Sequence, residues 1–153
     1  MAAPAPLLDL EVRFAQSPTE FAVVREIRRR VFGLEQGVPH AGEDDADDRR
    51  SLHALVVIPE GAIGTGRLTL PDKERPHAVI AWVATLADYR GYGVATAIMR
   101  ALLDAADEAG APTVLLSAQS HAIRFYRRFG FTPYGDRFSA GGIEHQFMYR
   151  SRH

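Results

Sequence analysis

The sequence contains no cysteine, and this absence excludes several kinds of chemistry. A disulfide bridge, a thiolate metal site and a cysteine nucleophile all require the missing thiol. Apolar runs of the roughly 20 residues needed to span a bilayer are missing too. The opening residues, MAAPAPLLDL, have neither the basic segment nor the long apolar core of a secretory signal. We therefore expect a cytoplasmic protein with no membrane partner.

A large excess of charge of one sign is likewise missing. The 18 Lys and Arg residues nearly balance the 19 Asp and Glu residues, which offers no electrostatic footprint for nucleic acid. Neither a metal-binding motif nor a Ser-His-Asp arrangement is evident, so we expect no metal and disfavour hydrolase chemistry. Hydrophobic residues form 46% of the 153 positions, which suits one core. We predict a flexible N-terminus over residues 1–9 and a single domain over residues 10–153.

The pattern of apolar residues predicts an α/β (α+β) domain. Leu10, Val12 and Phe14 alternate with charged residues, as in a half-buried strand. Ser17 followed by Pro18 predicts the start of a helix. The predicted order is β-α-(loop or short helix)-β-β-β-α-β-α-β-β, with strands over residues 10–15, 51–59, 62–70, 77–85, 113–117, 131–138 and 142–149, and later helices over residues 92–109 and 119–129.

Three details of this pattern bear on packing. Residues 32–50 contain several glycines and a proline, so we predict an irregular segment there. Gly64 and Gly66 weaken their strand and permit a bulge or the close approach of another backbone. The basic residues of the first helix are predicted to form a solvated face, and they are Arg25, Arg28, Arg29 and Arg30.

Residues 83–96, VATLADYRGYGVAT, predict a strand, a glycine turn and a helix. The first amides of a helix lack intrahelical partners and carry the positive end of its dipole. Gly91 and Gly93 lack a Cβ, so a phosphate could approach these amides closely, and Arg90 adds a fixed charge. The same two glycines would also suit a turn that merely joins a strand to a helix.

Two motifs resemble those of a known family. Arg90, Gly93 and Ala95 have the Arg-x-x-Gly-x-Ala spacing of the pyrophosphate-binding turn in GNAT acyl-CoA-dependent N-acyltransferases. Residues 119–131, QSHAIRFYRRFGF, resemble the second GNAT signature, a helix that carries a tyrosine and ends at Gly-Phe. The resemblance implies the GNAT fold, a mixed, largely antiparallel sheet flanked by helices. It also implies acyl transfer from acetyl-CoA, and a homodimer is an open possibility.

The activity implied by this resemblance is direct transfer of an acetyl or other short acyl group, in a ternary complex, to a primary amine on a small molecule or peptide. Tyr126 matches the tyrosine that protonates the leaving thiolate in the family, although a core tyrosine would also fit its position. Gln119 stands where the family usually has an asparagine that bonds to pantetheine. The residues implied to bind the co-substrate are Val83, Ala84, Thr85, Arg90, Gly91, Tyr92, Gly93, Val94, Ala95, Thr96 and Gln119.

The general base and the acceptor are not identified by any motif. Candidates for the base are Glu35, Glu43 and His145, or a chain of waters that serves instead. Residues 43–48, EDDADD, place five carboxylates in six positions. They form either a solvated acidic loop or an acceptor-recognition loop, in which carboxylates attract a cationic amine and raise one another's pKa.

Two other functions remain as alternatives. A non-catalytic module could use the same glycine turn to sense acyl-CoA, although binding alone does not require the tyrosine. An acyl-homoserine lactone synthase, which uses S-adenosylmethionine, resembles the chain more weakly around residues 43–48.

Overall fold

The computed structural model describes residues 8–152. Residues 1–7 of the predicted N-terminal segment and residue 153 therefore lie outside the described residues. The described chain builds one seven-stranded sheet in the order β1-β2-β3-β4-β5-β7-β6. The strands are β1 (Glu11–Phe14), β2 (Ser51–Ile58), β3 (Gly61–Thr69), β4 (Ala78–Thr85), β5 (Thr113–Gln119), β6 (Thr132–Ala140) and β7 (Ile143–Ser151).

Helices flank this sheet on both faces. They are α1 (Pro18–Arg28), α2 (Val94–Glu108) and α3 (Ile123–Arg127). Ser17 caps α1, because its Oγ accepts a hydrogen bond of 3.1 Å from the amide of Glu20. β4 and β5 are parallel and the other adjacent strands described are antiparallel. The predicted fold class and order of elements are confirmed.

Two element predictions are wrong in detail. The helical path does not break at Gly33 but continues from α1 as a π-helix over Arg29–Glu35. Burial of Val31 beside Val24 of α1 outweighs the weak helix propensity of one glycine. Gln119 ends β5 instead of starting a helix, because it pairs with His145 in the ladder to β7.

The core lies on both faces of the sheet. α2 and α3 contribute to the larger apolar cluster, and α1 with the π-helix contributes to the smaller one. Gly64 and Gly66 let α2 approach β3, since an added Cβ would lie 2.6 Å from Val94 Cγ1 and 2.5 Å from Ile98 Cγ2 respectively. The predicted bulge is present, because the register against β4 shifts between Thr65 and Arg67. The nearest groups are helix side chains and not another backbone.

β4 and β5 separate halfway along their length. Their pairing is confined to Ala78 with Val114, Val79 with Leu115 and Ile80 with Leu116. Beyond this point β4 has an irregular register against β3, and Trp82 adopts a φ of 57°. This irregularity turns the second half of β4 away from β5, which leaves one edge of the strand unpaired at the centre of the sheet. Within residues 8–152, no helix is both long and apolar enough to cross a bilayer.

Candidate active site

The gap between β4 and β5 opens into a cavity of about 1250 Å³. Its walls come from the π-helix, the second half of β4, the turn before α2, β5, α3 and the β6–β7 pair. A cavity of this size at a separation of parallel strands is the expected place for a ligand.

The glycine turn at the mouth of the cavity has the features that an anion site requires. Gly91 and Gly93 have φ values of 87° and 81°, a region that side chains with a Cβ rarely adopt. No heavy atom lies within 4 Å of where a Cβ on either residue would stand. Gly93 precedes α2, so the first amides of that helix point toward open space with the positive end of the dipole. These residues fit a pyrophosphate group.

The structure brings almost all of the predicted co-substrate residues to this cavity. Each of the eleven residues named above lines it except Tyr92. Arg90 donates through Nη2 to Glu35 Oε2 at 2.7 Å and to the Thr85 carbonyl at 3.1 Å. The guanidinium therefore joins the glycine turn to the π-helix and to the end of β4.

Gln119 has a partner that the sequence did not indicate. Its Nε2 donates to Gln36 Oε1 at 2.8 Å, and Gln36 Nε2 donates back to Gln119 Oε1 at 3.4 Å. The pair spans 83 positions of sequence, and no local pattern marks it. The residue after the π-helix is thus tied across the cavity to β5.

Tyr126 lines the cavity from α3. Its ring makes edge contacts with Phe125 and Phe131, at centroid distances of 5.1 and 6.2 Å. Burial raises the pKa of Tyr126 to about 12, because a low-dielectric environment disfavours the phenolate. The hydroxyl group is therefore neutral and carries its proton at any physiological pH.

The three candidate bases occupy different surroundings. His145 lines the cavity, stacks on Phe138 at 5.6 Å and lies with Nδ1 2.8 Å from the Ile143 carbonyl. Because a carbonyl only accepts, Nδ1 carries the proton and Nε2 of the neutral ring holds a lone pair. Glu35 also lines the cavity but is paired with Arg90. Glu43 does not line it, and its Oε2 lies 3.0 Å from exposed His40.

The acidic run over residues 43–48 does not line the cavity. Two of its carboxylates belong instead to an arginine–aspartate cluster, defined as Arg28, Asp45, Asp48, His53 and Arg67. All members of the cluster are buried except Asp45, whose side chain is 40% exposed. Arg28 Nη1 donates to both oxygens of Asp48 at 3.0 and 3.1 Å. Arg67 Nη1 donates to Asp45 Oδ2 at 2.6 Å and to Asp48 Oδ1 at 3.0 Å. The two negative charges are thus matched by two positive ones.

The expectation that these carboxylates raise one another's pKa is wrong for Asp45 and Asp48. Burial acts to raise the pKa of Asp45, but hydrogen bonds from Arg67 and Trp82 outweigh it and lower the pKa to about 2. Burial also acts to raise the pKa of Asp48, and the Asp45 amide and the charge of Arg28 outweigh it. Both side chains therefore remain ionised partners of arginine and are poor general bases.

The prediction that Arg28 lies on a solvated helix face is also wrong. Its side chain is 1% exposed, and its Nη2 lies 3.1 Å from His53 Nδ1. One signal was present in the sequence, because Phe21, Val24, Arg28 and Val31 follow the spacing of a single helix face. An arginine within an apolar stripe requires a buried anion.

A glycine turn at a helix start, an unpaired edge of β4 and a protonated tyrosine surround one cavity. This combination fits an acyltransferase that draws its acyl group from coenzyme A. The model of the "Acetyltransferase (GNAT) family" matches residues 21–131. The chain belongs to this family, whose members use acetyl-CoA as co-substrate.

Individual relatives agree with this assignment. The uncharacterized N-acetyltransferase YjcF of Bacillus subtilis (strain 168) is 33% identical over 123 residues, which cover 80% of this chain and 86% of that protein. The crystal structure of Escherichia coli ElaA is similar with a TM-score of 0.82 and 25% identity, over 95% of this chain and 100% of the other. An acyl-CoA N-acyltransferase from Pseudomonas aeruginosa is similar with a TM-score of 0.83 and 26% identity, over 94% and 99% of the two chains.

Proposed function

We propose that the protein transfers an acetyl or other short acyl group from acyl-CoA to a primary amine by direct attack in a ternary complex. The observation that carries this proposal is the protonated Tyr126 on the wall of the cavity that also contains the glycine turn. A module that only sensed acyl-CoA would need the turn, but it would have no use for a proton donor there.

The main chain supplies the groups that hold the co-substrate. The amides that follow Gly91 and Gly93 would bind the pyrophosphate, and the free edge of Val83, Ala84 and Thr85 would pair with the amide groups of pantetheine. When bound, acyl-CoA supplies the activated thioester. Fixing it beside the acceptor converts a bimolecular encounter into a reaction between positioned groups, which is a large part of enzymatic rate enhancement.

Two side chains would move protons. Tyr126, on the wall of the cavity, would donate its phenolic proton to the departing thiolate. Its pKa of about 12 keeps the proton on the hydroxyl before the reaction, and the position of the hydroxyl in the cavity carries the assignment. His145 would accept the proton of the attacking amine at Nε2, since its Nδ1 is engaged with the Ile143 carbonyl. Glu35 is less suited because its carboxylate is already paired with Arg90 at 2.7 Å, and Glu43 lies outside the cavity.

The first test is release of CoA thiol from acetyl-CoA across a panel of primary amines, with binding followed by calorimetry. We expect amine-dependent release. Tight binding without release from acetyl-CoA or longer acyl-CoAs would instead support the sensing module. A thermal shift with S-adenosylmethionine and none with acetyl-CoA would support the lactone synthase alternative.

Substitution of the two side chains tests their roles. Tyr126→Phe should lower turnover by roughly 100-fold or more with little change in acetyl-CoA affinity, because proton donation contributes factors of that size. Tyr149→Phe is the matched control, since Tyr149 does not line the cavity. His145→Gln should lower kcat/KM, because glutamine cannot accept the proton of the attacking amine. An unchanged rate in either variant would eliminate that residue from the mechanism.

A further inference from the structure

The sheet face that carries α1 is only partly covered by helix. α1 packs against β2, β3 and β4. On β7, Gln146 and Met148 are buried, whereas His145 and Phe147 alternate with them onto the opposite face. Met148 belongs to the core beneath α2, so Phe147 faces the side of α1. The cavity therefore continues from the β4–β5 gap onto an open part of this face.

Aromatic rings form two walls there, one from the β4 side of the gap and one from the β6–β7 pair. On one side, Phe32 of the π-helix makes an edge contact with Trp82 at a centroid distance of 5.0 Å. On the other side, Phe147 lies 4.5 Å from Phe138 and 5.8 Å from Tyr134. Phe147 and Tyr134 line the cavity and remain 43% and 41% exposed. Exposed aromatic rings that border a cavity indicate a site for an apolar ligand.

Charged groups are scarce on these walls. Among the described residues that line the cavity, Glu35 is the single carboxylate, and Arg90 at the glycine turn holds it at 2.7 Å. The two arginines of the lining, Arg90 and Arg128, belong to the glycine turn and to the end of α3. Asp45 and Arg28 contact Trp82 but do not line the cavity. A second ammonium group on the acceptor would therefore meet only the carboxylate of Glu35, which Arg90 already pairs. The acceptor that fits is apolar apart from the reacting amine.

We propose that the acceptor is a primary amine joined to an aromatic ring by a short alkyl chain, an arylalkylamine. Its ring would lie between the Phe32–Trp82 wall and the wall formed by Phe147 and Tyr134, where edge and offset contacts between aromatic rings are favourable. Its amine would then reach His145, which lines the same wall as Phe147. This assignment rests on the proposed acyl transfer and adds the class of acceptor to it.

The test compares 2-phenylethylamine, propylamine and spermidine as acceptors of the acetyl group. We expect kcat/KM for 2-phenylethylamine to exceed the other two by about tenfold or more, because only its ring removes a large apolar area from water. Phe147→Ala should remove most of that advantage, so that the ratio of kcat/KM for 2-phenylethylamine to that for propylamine falls toward one. The exposure of Phe147 makes a folding defect in this variant small, and Phe32→Leu tests the other wall. Tyr149→Phe, outside the cavity on the same strand, keeps the ring that packs on Tyr134 and should preserve the preference.

Several outcomes would overturn the assignment. Equal kcat/KM values, a preference for spermidine, or a preference that Phe147→Ala leaves intact would each contradict it. A halved molecular mass of Phe147→Ala, with the preference unchanged, would assign this face to a second copy of the chain. Calorimetry separates the two proposals. Phe147-dependent binding of 2-phenylethylamine without thiol release would refute acyl transfer, whereas thiol release with propylamine alone would refute the arylalkylamine.

Discussion

Residues 90–96 and residues 43–48 both have the composition of a binding site, yet only the first segment opens into the cavity. The glycine turn presents main-chain amides toward open space. The acidic run turns two of its carboxylates inward, where Arg28 and Arg67 pair with them. Trp82 also donates to Asp45, at 3.2 Å. One segment is therefore available to a ligand, and the inward part of the other serves to hold α1 against β3.

The difference arises from the kind of group that each segment uses. Helix-start amides have no partner within their own helix, wherever the rest of the chain lies. A carboxylate is available only if no arginine reaches it, and the arginines here come from 20 and 19 positions away from Asp48. A cluster of like charges is consequently a weaker indicator of a site than a turn with a defined main-chain geometry.

The largest effect that would test this comparison is the loss of stability from Asp48→Asn. The change leaves Arg28 and Arg67 buried with one carboxylate between them, and breaking a buried pair costs about 3–5 kcal/mol. Urea unfolding of the variant should show a decrease of this size in the free energy of unfolding. Acetyl-CoA affinity of the folded protein should be nearly unchanged. A stable variant that no longer bound acetyl-CoA would reverse the roles of the two segments.

Gly93→Val should have the opposite profile. A Cβ at this position would occupy the open space before the first amides of α2, so acetyl-CoA affinity should fall by about 100-fold or more, which is about 2.7 kcal/mol. Gly110→Val is the matched control, because Gly110 has a similar φ of 76° at the other end of α2. Both variants carry backbone strain, but only the first should lose binding in calorimetry. Equal affinities would refute the phosphate-binding turn.

Acid should reduce the stability that the arginine–aspartate cluster contributes. The main-chain amides of the glycine turn do not titrate at that pH. The pKa of Asp45 is lowered from 3.8 to about 2 in the folded protein. Unfolding is therefore accompanied by proton uptake below about pH 4, and the stabilisation present above that pH is lost as the pH falls toward 2. Asp45→Asn should reduce this proton uptake, seen as a shallower slope of unfolding free energy against pH. An unchanged slope would exclude Asp45 as a source of acid sensitivity.

The smallest expected effect comes from a neighbour within the same acidic run. Asp44 pairs with Arg25 at 3.4 Å, and the two side chains are 55% and 36% exposed. Exposed pairs contribute about 0–1 kcal/mol, so Asp44→Asn should change the free energy of unfolding by less than about 1 kcal/mol. Asp44→Asn and Asp48→Asn each remove one negative charge, but only Asp48 is buried. Comparison of their free energies of unfolding therefore separates the effect of burial from that of charge. Comparable losses in the two variants would mean that burial is not the deciding factor.

Much of the fold could be predicted from the sequence because the relevant signals are local. Alternation of Leu10, Val12 and Phe14 reflects the two faces of a strand, and Ser17 with Pro18 marks the start of α1. The π-helix was missed because Gly33 is a local signal that packing of Val31 outweighs. The Gln36–Gln119 pair could not be predicted, since its two members are brought together only by the closed fold.

The sequence by itself determined the order of the elements and the glycine turn, because periodicity, capping and the freedom of glycine act within a few residues. Tertiary structure alone decided which charges are neutralised and which rings face the cavity. Arg28 is buried because Asp48 reaches it, and Phe147 lines the cavity because α1 stops short of β7. Both outcomes depend on the distances between segments remote in sequence, which only the packed chain defines.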